Sequence, residues 1–198
     1  MNFERAWQAH AVAALTCASA LPAHAGVTEF TDRAEWEAAV GQFTTIDFTG
    51  FPEFTTITDQ YQDSGVLFTD GNDSIVFNEG SFLNDGVGLR GGLLDDIELS
   101  FSTPQGWIGV DFPGDVRVLL FSRGELIHFS SFFSAGPDGV GGFAGLVSTE
   151  LFDAAVILDP VDDFVFIDDL HFGVPAPGGL MLLALAGIWP RRRRRSRA

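Results

Sequence analysis

From residue 44 onward, apolar and polar positions alternate in short runs. Ile97, Leu99 and Phe101 fall on one side of an extended segment, while Glu98, Ser100 and Ser102 fall on the other. Runs of this kind, rich in Val, Ile, Phe and Thr, predict strands at 45–49, 66–69, 74–78, 87–90, 96–102, 107–112, 117–122, 126–132, 143–147, 154–159 and 164–172. Gly, Asp, Asn and Pro punctuate them, as at Pro113-Gly114-Asp115 and Ser122-Arg123-Gly124-Glu125. In the strand near 117–122, Val116, Val118 and Leu120 oppose Arg117, Leu119 and Phe121, the pattern of a strand covered from two sides. One segment before this rhythm reads as a helix, from Thr31 as its cap to a stop at Gly41, with Ala34, Trp36, Ala39 and Val40 as a weak apolar face. So many short strands with so little helix predict an all-β fold, an antiparallel two-sheet β-sandwich of jelly-roll type with one short N-terminal helix.

The two ends break the pattern, each with an apolar segment of helical character. At the start, Arg5 precedes a mostly apolar stretch from Ala11 to Leu21, and Ala23 and Ala25 put small residues where a signal peptidase cuts. Residues 1–25 therefore read as a secretory signal peptide that uses the Sec export machinery. The sole cysteine, Cys17, lies inside it, so the exported chain has no thiol or disulfide chemistry. At the other end Val174, Pro175, Ala176 and Pro177 are followed by an uninterrupted apolar run from Leu180 to Trp189. Arg191, Arg192, Arg193, Arg194 and Arg195 come next. A helix over that run covers only about 15 Å, half a bilayer core. The Arg cluster would hold the terminus on the cytoplasmic side of the inner membrane, with the body outside.

That three-part order resembles the PEP-CTERM sorting signal of Gram-negative, exopolysaccharide-producing bacteria. Ala176 stands where the family usually has Glu. The resemblance implies transient anchoring in the inner membrane, processing by an exosortase near the motif, and a destination at the cell surface or in the extracellular polysaccharide matrix. Three segments of the body also resemble those common in such proteins: Ile46-Asp47-Phe48, Tyr61-Gln62 with Gly65-Val66-Leu67-Phe68, and Phe166-Ile167-Asp168-Asp169-Leu170-His171-Phe172-Gly173. Such bodies look like galactose-binding or carbohydrate-binding jelly rolls. The chain thus divides into a signal peptide at 1–25, a β-sandwich domain at 26–173 and a sorting signal at 174–198.

Charge narrows the partners. Residues 26–173 hold 26 acids against Arg33, Arg90, Arg117 and Arg123, and no Lys. A field of that sign repels phosphate backbones and excludes nucleic acid as a partner of the body. The 19 Phe of the same stretch give it enough apolar bulk to fold despite that charge.

Little in the body reads as catalytic. His128 and His171 have no metal-ligand spacing, and there is no Gly-x-Ser-x-Gly elbow or phosphate loop. Asp70-Gly71-Asn72-Asp73 lacks the remaining ligands of an EF-hand and reads as a β-turn. Alternation along 164–172 places Asp168 in a row with Phe164, Phe166, Leu170 and Phe172. A carboxylate there needs a cation, an Arg or several N–H donors. The jelly-roll resemblance implies a structural Ca²⁺ tying the first strands to the last, with Asp47, Asp168 and Asp169 as ligands. Trp107 and Tyr61 are the aromatic candidates for stacking on a sugar. The expected function is a non-enzymatic structural or glycan-binding surface protein. The alternative is a carbohydrate-active hydrolase on a jelly-roll scaffold.

Overall fold

The computed structural model describes residues 26–69, 74–78, 83, 86–91, 96–136, 139, 141–160 and 164–174. The readings at Ala23, Ala25, Pro175, Ala176, Pro177 and the Arg cluster, both terminal helices and the turn at 70–73 lie outside these residues. Among the described residues no helix is long and apolar enough to cross a membrane.

The chain is mostly β, in two antiparallel sheets. In order it forms β1 (Val27–Phe30), α1 (Arg33–Ala39), β2 (Thr44–Ile46), β3 (Val66–Phe68), β4 (Ile75–Asn78), β5 (Val87–Arg90), β6 (Ile97–Phe112), β7 (Asp115–Ser122), β8 (Glu125–Phe129), β9 (Phe133–Ser134), β10 (Gly142–Leu158), β11 (Phe166–Ile167) and β12 (Leu170–Gly173). The larger sheet runs β2-β12-β6-β10-β7-β8, with β1 on β10, β3 on β6 and β9 on β7. The smaller sheet is β11-β5-β4. Val76, Leu89 and Ile167 from the small sheet share one core with Ile97, Leu99, Val118, Leu120 and Ile157 from the large one.

Two pairs of predicted strands are each one long strand. The segments 96–102 and 107–112 fuse into β6, and 143–147 and 154–159 fuse into β10. The register between them slips twice, since Val147 pairs with Trp107, Phe152 with Gln105 and Ala154 with Ser100. Each strand therefore carries unmatched residues in turn, the pattern of paired bulges. Pro104 falls in the unmatched part of β6, where no N–H is required by β10, so it does not end the strand.

The last predicted strand shows the opposite error. Residues 164–172 do not form one strand: β11 belongs to the small sheet and β12 to the large one. The crossing is at Asp168-Asp169, so the expected row of alternate residues is broken there. Val165 and Ile167 are buried before the crossing, and Leu170, His171 and Phe172 are all buried after it. β2 also stops early, at Ile46. Asp47 turns the chain by accepting from the N–H (3.1 Å) and hydroxyl (2.9 Å) of Thr49, with Phe48 between them at φ 56°. The short strands β1 and β9 went unread in the sequence, because two to four residues are too few to show a period.

α1 is capped by Asp32, not Thr31. The Asp32 carboxylate accepts from Glu35 N–H at 2.9 Å. Ala34 and Ala39 are exposed, and Trp36 alone on this helix is buried. Trp36 forms a second, smaller apolar cluster with Trp107 and Phe143 on the outer side of the large sheet. A Cβ on Gly145 would stand 2.5 Å from the Trp36 ring, and one on Gly109 would stand 3.1 Å from it. Glycine at these two strand positions lets the indole lie flat against the backbone.

The N-terminal strand is tied across to β8. Glu29 Oε1 accepts from Ser131 N–H at 2.9 Å and lies 2.8 Å from His128 Nε2. Burial pushes the Glu29 carboxyl up, but the bonds from Ser131 and His128 outweigh it and hold it below its ordinary 4.5. A lowered carboxyl stabilises the fold at neutral pH, and this part is lost as pH falls through 4.5 and then through the lowered value. We expect Glu29→Gln to destabilise by about 0.5–1 kcal/mol at neutral pH, a partly exposed tie. The difference from wild type should vanish once the pH falls below that lowered value. Urea melts of both proteins across that range check it, and a pH-independent difference would contradict it.

Candidate functional site

The densest polar cluster among the described residues is built on Asp111, near the C-terminal end of β6. On β6, Trp107, Gly109 and Asp111 alternate with Ile108, Val110 and Phe112. Asp111 therefore faces the side of the sheet that α1 covers. Arg33 lies one helical turn before Trp36, on the same helix face. Once Trp36 is seated between Gly109 and Gly145, the Arg33 side chain reaches Asp111.

Asp111 Oδ2 receives two donors, Arg33 Nη1 at 2.8 Å and His171 Nε2 at 2.8 Å. Arg33 also bonds Glu37 within α1 at 3.0 Å and approaches Asp169 Oδ2 at 3.8 Å. His171, on β12, is wholly buried, and its Nδ1 lies 3.0 Å from the hydroxyl of Thr45, its cross-strand partner on β2. An ionised carboxylate only accepts, so Nε2 carries a proton and donates it to Asp111, and Nδ1 and the Thr45 hydroxyl satisfy each other. The backbone repeats the connection: Asp111 N–H donates to Asp169 O at 3.0 Å, and Asp168 N–H donates to Asp111 O at 2.7 Å. Burial pulls the Arg33 guanidinium down, but the charges of Asp111 and Asp169 and the bond to Glu37 more than reverse this.

Asp111, Asp169 and His171 are the one group among the described residues whose ligand atoms could hold a metal, all lying within 4.8 Å of one another. The imidazole suits a transition ion better than calcium, which takes oxygen ligands. Arg33 supplies one positive charge against the carboxylates of Asp111, Asp169 and Glu37, so the group is neutralised only in part. Its order of hydroxyl, imidazole and carboxylate is also that of an acyl-transfer relay. Here, however, the carboxylate is shared with a guanidinium. The imidazole is enclosed by Trp36 and Phe43, with ring centroids at 5.9 and 5.4 Å. What the arrangement does is join α1, β2, β6 and β12 at one point.

The sequence candidates lie differently from expectation. Of Asp47, Asp168 and Asp169, only Asp169 enters this group. Asp47 is exposed, and its charge acts with burial to push the Tyr61 hydroxyl up to about 12. Asp168 is buried at the crossing between the sheets. Tyr61 stacks edge-on against Phe48 and Phe51 at 5.9 and 5.8 Å, and Trp107 is 6% exposed beneath Gly173. The Trp107 ring presents no open face for a sugar, because backbone covers it, while Tyr61 is half-buried among Phe48, Phe51 and Phe68. Val174 is exposed just beyond β12. Asp111, Arg33, Thr45 and His171 were not among the candidates. The pairing of a lone Arg with a lone Trp three residues on, in a body so poor in cations, was the signal that could have found Arg33.

A cleft of about 750 Å³ opens beside this region, with Gln42, Thr44, Ser64, Gln105, Phe172 and Val174 in its lining. Among the described residues no ionisable side chain lines it. Comparison with protein-family models, with curated proteins and with solved structures finds no match.

Proposed function

We propose that this chain is an exported, non-enzymatic surface or matrix protein. Its body is a jelly-roll-like sandwich, and a PEP-CTERM-like signal at 174–198 delivers it. The signal peptide takes the chain through the inner membrane, the short apolar segment and the Arg cluster hold it there, and an exosortase releases it near Val174-Pro175-Ala176-Pro177. The body then serves as a structural or glycan-binding module of the extracellular polysaccharide.

One observation carries this reading: the order of motif, short apolar run and Arg cluster immediately after the last strand. β12 is an interior strand, held between β2 and β6, and Val174, the first residue after it, is 46% exposed. The last described strand thus ends one residue before the motif begins, which supports a processing site that can be cut without opening that strand. Among the described residues the cleft lining carries no carboxylate and is more apolar than polar, which supports a binding module over a hydrolase, whose cleft requires paired carboxylates.

The test is the intact mass of the protein recovered from the surface of a Gram-negative host that carries an exosortase. Loss of the signal peptide and of everything after about Pro177 is expected. In a variant lacking Val174–Ala198, most of the surface-associated protein should disappear. Retention of the full Arg cluster on the surface form, or normal delivery of the shortened variant, would overturn the reading.

A further inference from the structure

We infer that β8 is a self-association edge, through which two copies of this chain pair strand to strand. The inference does not depend on the sorting signal. β8 ends the larger sheet: it pairs with β7 on one side, and among the described residues no strand pairs with the other. Its outward N–H and C=O groups form the row that invites another strand. Of the six large apolar side chains that stand exposed among the described residues, Leu126 and Phe129 lie on β8 and Phe132 three residues beyond it, at 51%, 51% and 47% exposure. The ring of Phe129 is held in place by the Arg117 guanidinium, 4.8 Å above it. β7 behind it is buried on one face only. Val116, Val118 and Leu120 are enclosed, while Arg117, Leu119 and Phe121 are only half-buried, so the cover from two sides that their alternation suggested is complete on one side alone.

Charge selects the occupant. Around β8, Arg117 and Arg123 stand with Glu125, with Asp115 at the start of β7, with Glu29 bonded to His128 and with Asp153 at the Arg123 N–H, a net −2. The rest of 26–173 holds 22 acids and two Arg, a net −20. Two such bodies repel least where this weakly charged apolar strip is turned to its copy. A second copy also brings a matching row of backbone donors and acceptors, which neither a polysaccharide nor a lipid surface supplies in register. The three half-exposed side chains offer about 300 Å² per copy, well under the roughly 800 Å² per partner of a stable complex. The dimer is therefore weak, with a Kd in the micromolar range.

Sedimentation of the purified full chain in non-ionic detergent, from about 5 to about 500 µM, tests this. A concentration-dependent dimer is expected, tighter at about 0.5 M than at about 0.02 M salt, because screening removes the repulsion between the bodies. Leu126→Asp with Phe129→Asp should weaken it by about tenfold or more. Phe132→Asp, outside the strand, is the second variant, and thermal melts report whether each still folds. A monomer at every concentration would overturn the inference, as would association that folded variants leave unchanged, which would assign it to the apolar tail. Retention on an anionic polysaccharide or on anionic vesicles that weakens with salt and is lost in the same variants, without a dimer, would give this edge to those partners instead.

Discussion

Replacing Asp111 by alanine should destabilise the fold by about 1–4 kcal/mol, although no apolar contact of the core is removed. The change leaves His171 Nε2–H fully buried with no acceptor, and an unsatisfied buried group costs about 1–3 kcal/mol. The lost Arg33 contact adds less than about 1 kcal/mol, because that side chain is 40% exposed and keeps Glu37 and Asp169. A loss of this size in a body of this length lowers Tm by roughly 10 °C. Arg33→Ala should cost under about 1 kcal/mol. Asp111→Asn, which keeps an oxygen for His171, should fall between the two. Chemical denaturation of the three variants decides it. If Asp111→Ala and Arg33→Ala were equal, the bond to His171 would carry no weight and the account of this cluster would be wrong.

Trp36→Ala should be the most damaging single change, at about 3–5 kcal/mol. The indole has no exposed surface, and it packs on Phe43 and Phe143 at centroid distances of 5.1 and 5.5 Å. The glycines beneath it, Gly109 and Gly145, have no side chains that could move into the space. Its Nε1–H is buried without a hydrogen-bond partner among the described residues, so the loss is one of packing. Trp36→Phe restores most of the contact and removes that unsatisfied donor, and it should cost less than about 1.5 kcal/mol. Loss of Trp36 also releases α1, and with it the position of Arg33. Trp36→Ala combined with Asp111→Ala should therefore cost less than the sum of the two. Strict additivity in that cycle would mean that the helix stays seated without its tryptophan.

Much of this fold is legible in the order of residues, because a half-buried strand must alternate and a turn must use Gly, Pro, Asn or Asp. The β class, most of the strand positions, the helix around Trp36 and the acidity of the body follow from that order alone. Where it misled, the reason is that alternation records a period and not a neighbour. Pro104 looks like a stop until the unmatched residues of β6 against β10 show that no partner needed its N–H. The run 164–172 looks like one strand, because both halves are apolar, and only the packing of two sheets makes the chain cross between them at Asp168-Asp169. The cluster at Asp111 was the least visible, since its bonds span 60 residues to His171 and 78 to Arg33, and Thr45 meets His171 across 126. Local sequence sets which face a side chain takes. Which distant charge stands opposite it is decided only when strands from both ends of the chain lie side by side in one sheet.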